Sequence, residues 1–113
     1  MEQEKKTSYE DFEKIVLRVG TIIKAEIFKE AKKSAFLITI DFDEYGVLKT
    51  SAQITKLYTV DEIMNKQVIA VVNFPPKQIA TIKSECLLLG AVNDDEVTLI
   101  TMDKPVKNGL RIK

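Results

Sequence analysis

Apolar and polar residues alternate along much of the chain, and a period of two is typical of β-strands with one buried face. In the stretch A-F-L-I-T-I-D-F, the side chains of Phe36, Ile38, Ile40 and Phe42 fall on one face of such a strand. Residues 67–74 are apolar almost throughout, which predicts a strand that is buried on both faces. Further strands are predicted over residues 16–27, 47–54, 85–92 and 97–102.

Several residues mark where these elements should bend, begin or end. Gly20 interrupts the first strand and predicts a bend or bulge there. Ser8 is a suitable N-cap for a short helix that runs through Lys14. Thr59, followed three residues later by Glu62, has the pattern of a capping box and predicts one further helical turn.

The order of these elements predicts the fold. Three strands, a short helix and two more strands make the sequence of an OB-fold, which is a five-stranded Greek-key barrel. We therefore expect an all-β protein with short helices and with N- and C-terminal extensions, while other small barrels remain as alternatives. Residues 8–113 are expected to form a single domain, and residues 1–7 a flexible N-terminus.

Composition excludes several kinds of function. Seventeen basic residues balance seventeen acidic ones, and only Arg18 and Arg111 among the basic residues are arginines. The chain has no histidine, no glycine-rich phosphate loop and a single cysteine, Cys86, within an apolar run. We therefore expect no catalysis, no cofactor and no metal site. Without a signal-peptide pattern or an apolar run long enough for a membrane span, the protein is expected to be cytoplasmic and not inserted in a membrane.

One stretch contains more apolar residues than a simple turn requires. In N-F-P-P-K-Q-I-A-T-I-K-S, two prolines end a strand, and the loop that follows places apolar side chains between Lys77 and Lys83. Such a loop is suited to contact a ligand that lies across the barrel. The alternative is that Phe74 and Ile79 only cover the mouth of the barrel.

Four stretches, taken in order, carry a resemblance to a known family: D-F-E-K-I-V-L-R-V-G-T-I, S-A-Q-I-T-K-L-Y, N-K-Q-V-I-A-V-V-N-F-P-P-K-Q-I and K-S-E-C-L-L-L-G. With these motifs the chain is similar, over almost its whole length, to the CsaA-type secretion chaperones, a stand-alone branch of the tRNA-binding-domain (OB-fold) superfamily. This resemblance implies an OB-fold, a homodimer, a cytoplasmic location and a role in holding unfolded or preprotein polypeptide for export. It also implies a heritage of tRNA binding.

The chain departs from the family at two positions of this loop. Thr81 stands where relatives commonly have glycine, which predicts a stiffer loop. The superfamily tends to read S-x-G-M where this chain reads Ser84-Glu85-Cys86-Leu87, and the acid Glu85 would repel a phosphate backbone.

Two functions from different classes follow from these residues. The first is a chaperone that binds extended polypeptide; the alternative is a protein that binds tRNA or single-stranded nucleic acid. In the second case, Phe74 or Tyr58 would stack on bases. The ligand-binding residues expected for either ligand are Phe74, Pro76, Lys77, Ile79, Ile82, Lys83 and Ser84. The residues expected to contact phosphates are Arg18, Lys49 and Lys56.

Both ends of the chain carry apolar residues that a five-stranded barrel does not need. Asn108 and Gly109 predict a turn, after which residues 110–113 fold back as a short strand. Burying these residues against a second copy would give a two-fold dimer, whereas the alternative is that both ends pack on their own barrel. The residues predicted at the dimer interface are Tyr9, Phe12, Ile15, Val106, Leu110 and Ile112.

Overall fold

The computed structural model describes residues 4–113, and ten strands and two short α-helices lie within them. The N-terminus predicted to be flexible covers residues 1–7, of which residues 1–3 lie outside the described residues. The helices are α1 (Tyr9–Glu13) and α2 (Val60–Ile63). The strands are β1 (Leu17–Ile27), β2 (Phe36–Asp41), β3 (Val47–Ala52), β4 (Gln67–Val71), β5 (Lys77–Ile79), β6 (Ile82–Ser84), β7 (Leu87–Leu88), β8 (Gly90–Asn93), β9 (Glu96–Leu99) and β10 (Arg111–Ile112).

The main sheet confirms the predicted all-β OB-fold. Its strands are antiparallel neighbours in the order β3-β2-β1-β4-β7, which form a nearly closed barrel of five strands. The C-terminal strand β10 joins this sheet by pairing with the start of β1, where Leu17 lies opposite Ile112. Two hairpins, β5–β6 and β8–β9, are attached to the barrel.

Side chains close the barrel between β3 and the segment that follows β6. The N–H of Lys49 donates to the Glu85 carboxylate (2.9 Å), and the N–H of Glu85 donates to the Lys49 carbonyl (2.7 Å). The N–H of Ser51 donates to the Ser84 hydroxyl oxygen (3.1 Å), and the Thr50 hydroxyl donates to the Cys86 carbonyl (2.8 Å). The outer edge of β3 is therefore satisfied from Lys49 to Ser51.

The core lies inside the barrel and confirms the predicted face of β2. Phe36 is buried (5% exposed), and Ile38, Ile40 and Phe42 are completely buried. Strand β4 is buried from Val68 to Val71, as its continuous apolar sequence predicted. Other fully buried side chains are those of Val19, Ile22 and Ile63.

Gly20 does not form the predicted bulge. The pairing of β1 with β2 shifts register between Ile22 and Lys24 instead. A Cβ atom at Gly20 would lie 2.5 Å from Cγ2 of Ile40 and 2.7 Å from Cε1 of Phe42. Glycine is needed here because the core packs directly against the backbone.

The prediction of one strand over residues 85–92 is wrong, because two short strands occupy this stretch. Strand β7 pairs with β4, whereas β8 pairs with β9. Leu89 lies between them, and its N–H donates to the Ile69 carbonyl (3.0 Å) while its carbonyl accepts from the Ile100 N–H (3.4 Å). The chain thus leaves the barrel for the hairpin at this residue. Strand β4 is also shorter than predicted, since it ends at Val71.

The predicted helix caps and the C-terminal turn are confirmed. The Ser8 hydroxyl accepts from the Asp11 N–H, and Thr59 and Glu62 form a complete capping box. Gly109 has the positive φ (93°) that the predicted turn requires, and β10 follows it. Neither helix in the described part of the chain has the length and apolar character needed to cross a membrane.

Candidate functional site

A groove of about 1100 Å³ lies between the hairpin β5–β6 and the loop that joins β1 to β2 (residues 28–35). The end of β3 and the segment that closes the barrel contribute the rest of its surface. In an OB-fold, the face of strands 2 and 3 and the loops at its border are the usual place for an elongated ligand. The groove is lined by Glu30, Ala31, Lys32, Lys33, Ala35, Thr50, Ser51, Gln53, Phe74, Pro75, Lys77, Gln78, Ile79, Ala80, Ser84, Glu85, Cys86 and Leu87.

Two large apolar side chains in this groove are about half exposed. Phe74 is 48% exposed and Leu87 is 49% exposed, although both line a concave surface. The partly buried Ile79 and the buried Ala35 extend the same apolar area. Exposed apolar surface in a groove is a place where a ligand gains free energy by removing area from water.

Positive charge borders this apolar area. Lys32 and Lys33 project from the β1–β2 loop, and Lys77 lies on the opposite wall. Of the two acids that line the groove, Glu85 accepts a hydrogen bond from the Lys49 backbone, so its carboxylate is held in the barrel closure. The other acid, Glu30, is exposed, so the three lysines exceed the two acids by one charge, and the groove favours a ligand that is mainly apolar.

The hairpin β5–β6 forms one wall of the groove. Ile79 pairs with Ile82, so that Ala80 and Thr81 form a two-residue turn. The positive φ (49°) falls on Ala80, not on Thr81. Thr81 thus needs no glycine-like conformation, and the departure from the family at this position fits the turn. The Gln78 side chain donates to the Ala80 carbonyl (2.9 Å) and stabilises this turn.

Cys86 lies at the base of the groove as a buried side chain. Burial, together with a smaller effect of the nearby Glu85 carboxylate, raises the pKa of its thiol to about 12. The thiol is therefore neutral at pH 7 and is not a nucleophile there. This agrees with the role of a small apolar residue that its sequence context suggested.

A smaller groove, of about 540 Å³, lies on the other side of the β1–β2 loop. It shares Ala31, Lys32 and Ala35 with the first groove. Tyr58, which the sequence suggested as a base-stacking residue, lines this second groove, and its hydroxyl accepts from the Leu99 N–H (3.0 Å). Phe74 and Tyr58 therefore lie in different grooves.

The groove brings together four of the seven residues predicted to bind a ligand: Phe74, Lys77, Ile79 and Ser84. Ser84 also closes the barrel, because its hydroxyl oxygen accepts from the Ser51 N–H. Pro76, Ile82 and Lys83 belong to the same hairpin but do not line the groove. Their role in binding stays a prediction.

The three residues predicted to contact phosphates do not line this groove either. The Arg18 guanidinium donates to the Gly109 carbonyl (2.8 Å) and lies 3.4 Å from the centroid of the Tyr45 ring. The Lys56 ammonium pairs with Asp95 (3.7 Å), and the Lys49 backbone is part of the barrel closure. Their contact with nucleic acid stays a prediction.

Sequence reasoning missed the wall formed by the β1–β2 loop, including Ala31, Lys32 and Lys33. A signal was present, because the stretch K-E-A-K-K-S lies between the first two predicted strands. In an OB-fold the loop between strands 1 and 2 borders the binding face. Applying that rule would have identified these lysines.

Comparison with known proteins assigns this chain to a family. Residues 17–111 match the model of the tRNA binding domain family. The CsaA chaperone structures of Bacillus anthracis strain Ames (44% identical, TM-score 0.92) and Picrophilus torridus (49% identical, TM-score 0.89) each align with 96% of this chain and with 100% of their own. The chain is a CsaA-type member of the tRNA binding domain family.

The same domain occurs in much longer proteins. The methionine–tRNA ligase of Archaeoglobus fulgidus is 34% identical over 112 residues, which are 99% of this chain and 17% of the ligase. The chain thus spans about a sixth of the length of that ligase. The structure of a MetRS-related protein from Pyrococcus horikoshii has 28% identity and a TM-score of 0.86, and it aligns with 97% of this chain and with 100% of its own.

Proposed function

We propose that this protein is a chaperone that binds unfolded, extended polypeptide in the groove between the β1–β2 loop and the hairpin β5–β6. The observation that carries the proposal is the apolar area of Phe74, Ile79 and Leu87 with lysines at its border. Each apolar side chain that a client buries there contributes about 1.5–3 kcal/mol before the cost of ordering it is subtracted. Such a groove holds a segment without requiring one particular sequence.

The proposal assigns binding and no catalysis to this groove. The family that the chain belongs to is one of binding domains, and CsaA proteins are described as chaperones. The only nucleophile of the cysteine class, Cys86, is neutral at pH 7. A cytoplasmic location and the holding of preproteins for export are part of the proposal, and they rest on the resemblance of the sequence motifs to secretion chaperones.

Competition between polypeptide and tRNA tests this function. A labelled, unfolded, reduced and alkylated protein is bound to the chain and challenged with tRNA at low and at moderate salt. We expect binding of the polypeptide to persist at moderate salt, because burial of apolar surface is screened far less than contact with phosphates. Polypeptide binding that disappears when salt is raised, while tRNA stays bound, would contradict the proposal.

Binding of tRNA is the second candidate, and it is favoured by the family itself. Lys32, Lys33 and Lys77 border the groove, and Phe74 offers a face on which a base could stack. Few phosphates can be neutralised by three lysines, so the slope of log affinity against log salt should be shallow. A tight complex with tRNA at physiological salt would place this function first.

We further propose that the protein is a homodimer that joins through its chain ends. Tyr9 is 88% exposed and Leu110 is 48% exposed, and Phe12 and Ile15 are also exposed. The Asn73 side chain donates to the Lys14 carbonyl (2.7 Å), and Arg111 donates to the Glu13 carbonyl (2.7 Å). The second bond links the end of α1 to β10, which supports burial of the exposed apolar residues of both ends against the same partner.

The backbone of the C-terminal segment packs on its own barrel. The Gln67 side chain bonds both the N–H and the carbonyl of Val106, and the Val19 N–H donates to the Leu110 carbonyl (3.0 Å). Ile112 pairs with β1 and is partly buried. A substitution that keeps the backbone therefore tests the dimer better than a deletion of residues 110–113.

Light scattering of Leu110→Asp provides this test. We expect the wild-type protein to be a dimer at micromolar concentration and Leu110→Asp to be a monomer. Val92→Asp is the control, because Val92 is an exposed apolar residue on the separate hairpin β8–β9 and should leave the dimer intact. A wild-type protein that is monomeric at this concentration would rule out the dimer.

A further inference from the structure

The groove contacts the edge of β5 and not one of its faces. Four consecutive residues, from Lys77 to Ala80, line it. Successive side chains of a strand point to opposite faces, so a surface that touches consecutive residues must run along the edge. Of the partner strand β6, only Ser84 lines the groove, at its junction with β3.

The backbone of Gln78 points into the groove. Ile79 and Ile82 flank a two-residue turn and exchange hydrogen bonds, so the next pair, Gln78 and Lys83, does not. In such a pair the N–H and C=O of both residues point away from the partner strand. Within the described residues β5 pairs with β6 alone, so no strand covers the outer edge at Gln78.

The opposite wall of the groove offers no comparable edge. On β3, the N–H groups of Lys49 and Ser51 donate to the side chains of Glu85 and Ser84, and the Lys49 carbonyl accepts from Glu85. These bonds use the edge that faces the segment 84–86. An extended polypeptide in this groove can therefore form backbone hydrogen bonds with the edge of β5.

The surroundings of this edge define what would bind to it. A strand placed beside β5 turns every second side chain towards the apolar area of Phe74, Ile79 and Leu87. The side chains in between point away from this area towards solvent, where polar and charged residues are well accommodated. The chemistry that fits is an extended polypeptide in which apolar and polar residues alternate.

We propose that the groove takes its polypeptide by β-strand addition to the outer edge of β5, through the backbone N–H and C=O of Gln78. This inference rests on the proposed function and specifies how the ligand is held. Backbone hydrogen bonds are common to all sequences, so this mode explains how one groove holds clients of different sequence. Pro75 and Pro76, which have no N–H, limit the added strand to a few residues and keep this edge from pairing with other sheets.

Backbone methylation of a synthetic peptide provides the test. A short fluorescent peptide of alternating valine and glutamate is bound to the full chain, and each of its amides is N-methylated in turn. We expect methylation at alternate positions to weaken binding about tenfold, and at the positions in between to change it little, because only every second N–H faces the neighbouring strand.

A pair of protein variants tests the same contact from the other side. Gln78→Pro removes the outward N–H without removing a bond to β6, and we expect it to weaken binding of the peptide about tenfold. Gln78→Ala removes the side-chain amide and keeps the N–H, so it measures the contribution of the side chain alone, and we expect it to weaken binding less than Gln78→Pro does. Far-ultraviolet circular dichroism confirms that both variants are folded, and the peptide series needs no variant at all.

The outcomes separate this inference from the proposed function. If the unmethylated peptide binds but every methylated form binds equally well, strand addition is wrong and polypeptide binding stands. If neither the peptide nor an unfolded protein binds, both are wrong. If tRNA binds and neither the peptide nor an unfolded protein does, the protein binds nucleic acid instead, and both polypeptide binding and strand addition are wrong.

Discussion

The barrel and the hairpin β5–β6 are both built from β-strands, but the strand edges are paired in the barrel and one edge is left open in the hairpin. In the barrel, every strand from β1 to β4 has neighbours, the core side chains are buried, and side chains of Ser84 and Glu85 satisfy the free edge of β3. The hairpin β5–β6 keeps an uncovered edge and borders an exposed phenylalanine. We infer that stability depends on the barrel and binding on the hairpin, so substitutions should affect one without the other.

The largest effect on stability is expected for Gly20→Ala. The added Cβ would lie 2.5 Å from Ile40 Cγ2 and 2.8 Å from Phe42 Cδ1, and the barrel must move to accept it. Overpacking of this kind costs about 3 kcal/mol of unfolding free energy. Urea denaturation measures it. Lys24→Ala is the control, because Lys24 is an exposed residue of the same strand and its truncation should change the unfolding free energy by less than about 0.5 kcal/mol. Equal losses for both variants would show that crowding of the core is not the cause.

The next effect is a loss of stability at high pH that depends on Cys86. The pKa of the thiol is raised from 9.0 to about 12 in the folded protein, so the unfolded chain loses this proton first. Below pH 9 the contribution is constant, and above it the unfolding free energy falls by about 1.4 kcal/mol per pH unit until the folded thiol also ionises. Comparing urea denaturation of the wild type and Cys86→Ala between pH 8 and pH 10 isolates this group. Identical slopes would mean that the thiol is not desolvated.

A smaller effect is expected at the junction of the two regions. Ser84→Ala removes the acceptor of the Ser51 N–H and the contact with the Thr50 hydroxyl (3.1 Å). We expect a loss of about 1.5 kcal/mol in unfolding free energy, because a partly buried donor is left without its partner. Ser34→Ala, at an exposed position, should change stability by less than about 0.5 kcal/mol. A Ser84→Ala variant as stable as wild type would show that this closure contributes nothing to the barrel.

The sequence predicts what local chemistry determines. The alternation from Phe36 to Phe42 gives the buried face of β2, and Ser8 and Thr59 mark the helix starts, because a period or a cap needs only neighbouring residues. The position of the bulge near Ile23 depends on how β1 fits β2 across the sheet, and so the single glycine in β1 was misleading.

Only one wall of the groove was predicted from the sequence, and for the same reason. Phe74 and Lys77 stand out in their own loop, whereas Lys32 and Lys33 lie more than forty residues earlier and reach the groove only through the barrel topology. Ser84 was taken for a ligand-binding residue, yet its hydroxyl bonds β3. Hydrogen bonds between distant segments leave no periodic trace in a sequence.

Binding of unfolded polypeptide by matched double variants tests the central claim most directly. Phe74→Ala/Lys77→Glu changes one apolar side chain and one lysine within the groove, and Val92→Ala/Lys66→Glu makes the same kinds of change outside it. Fluorescence anisotropy with a labelled unfolded protein should show at least about a tenfold loss of affinity for the first variant and less than about twofold for the second, with circular dichroism spectra like the wild type for both. Unaltered binding by the folded groove variant, or an equal loss in both, would contradict the assignment of binding to this groove.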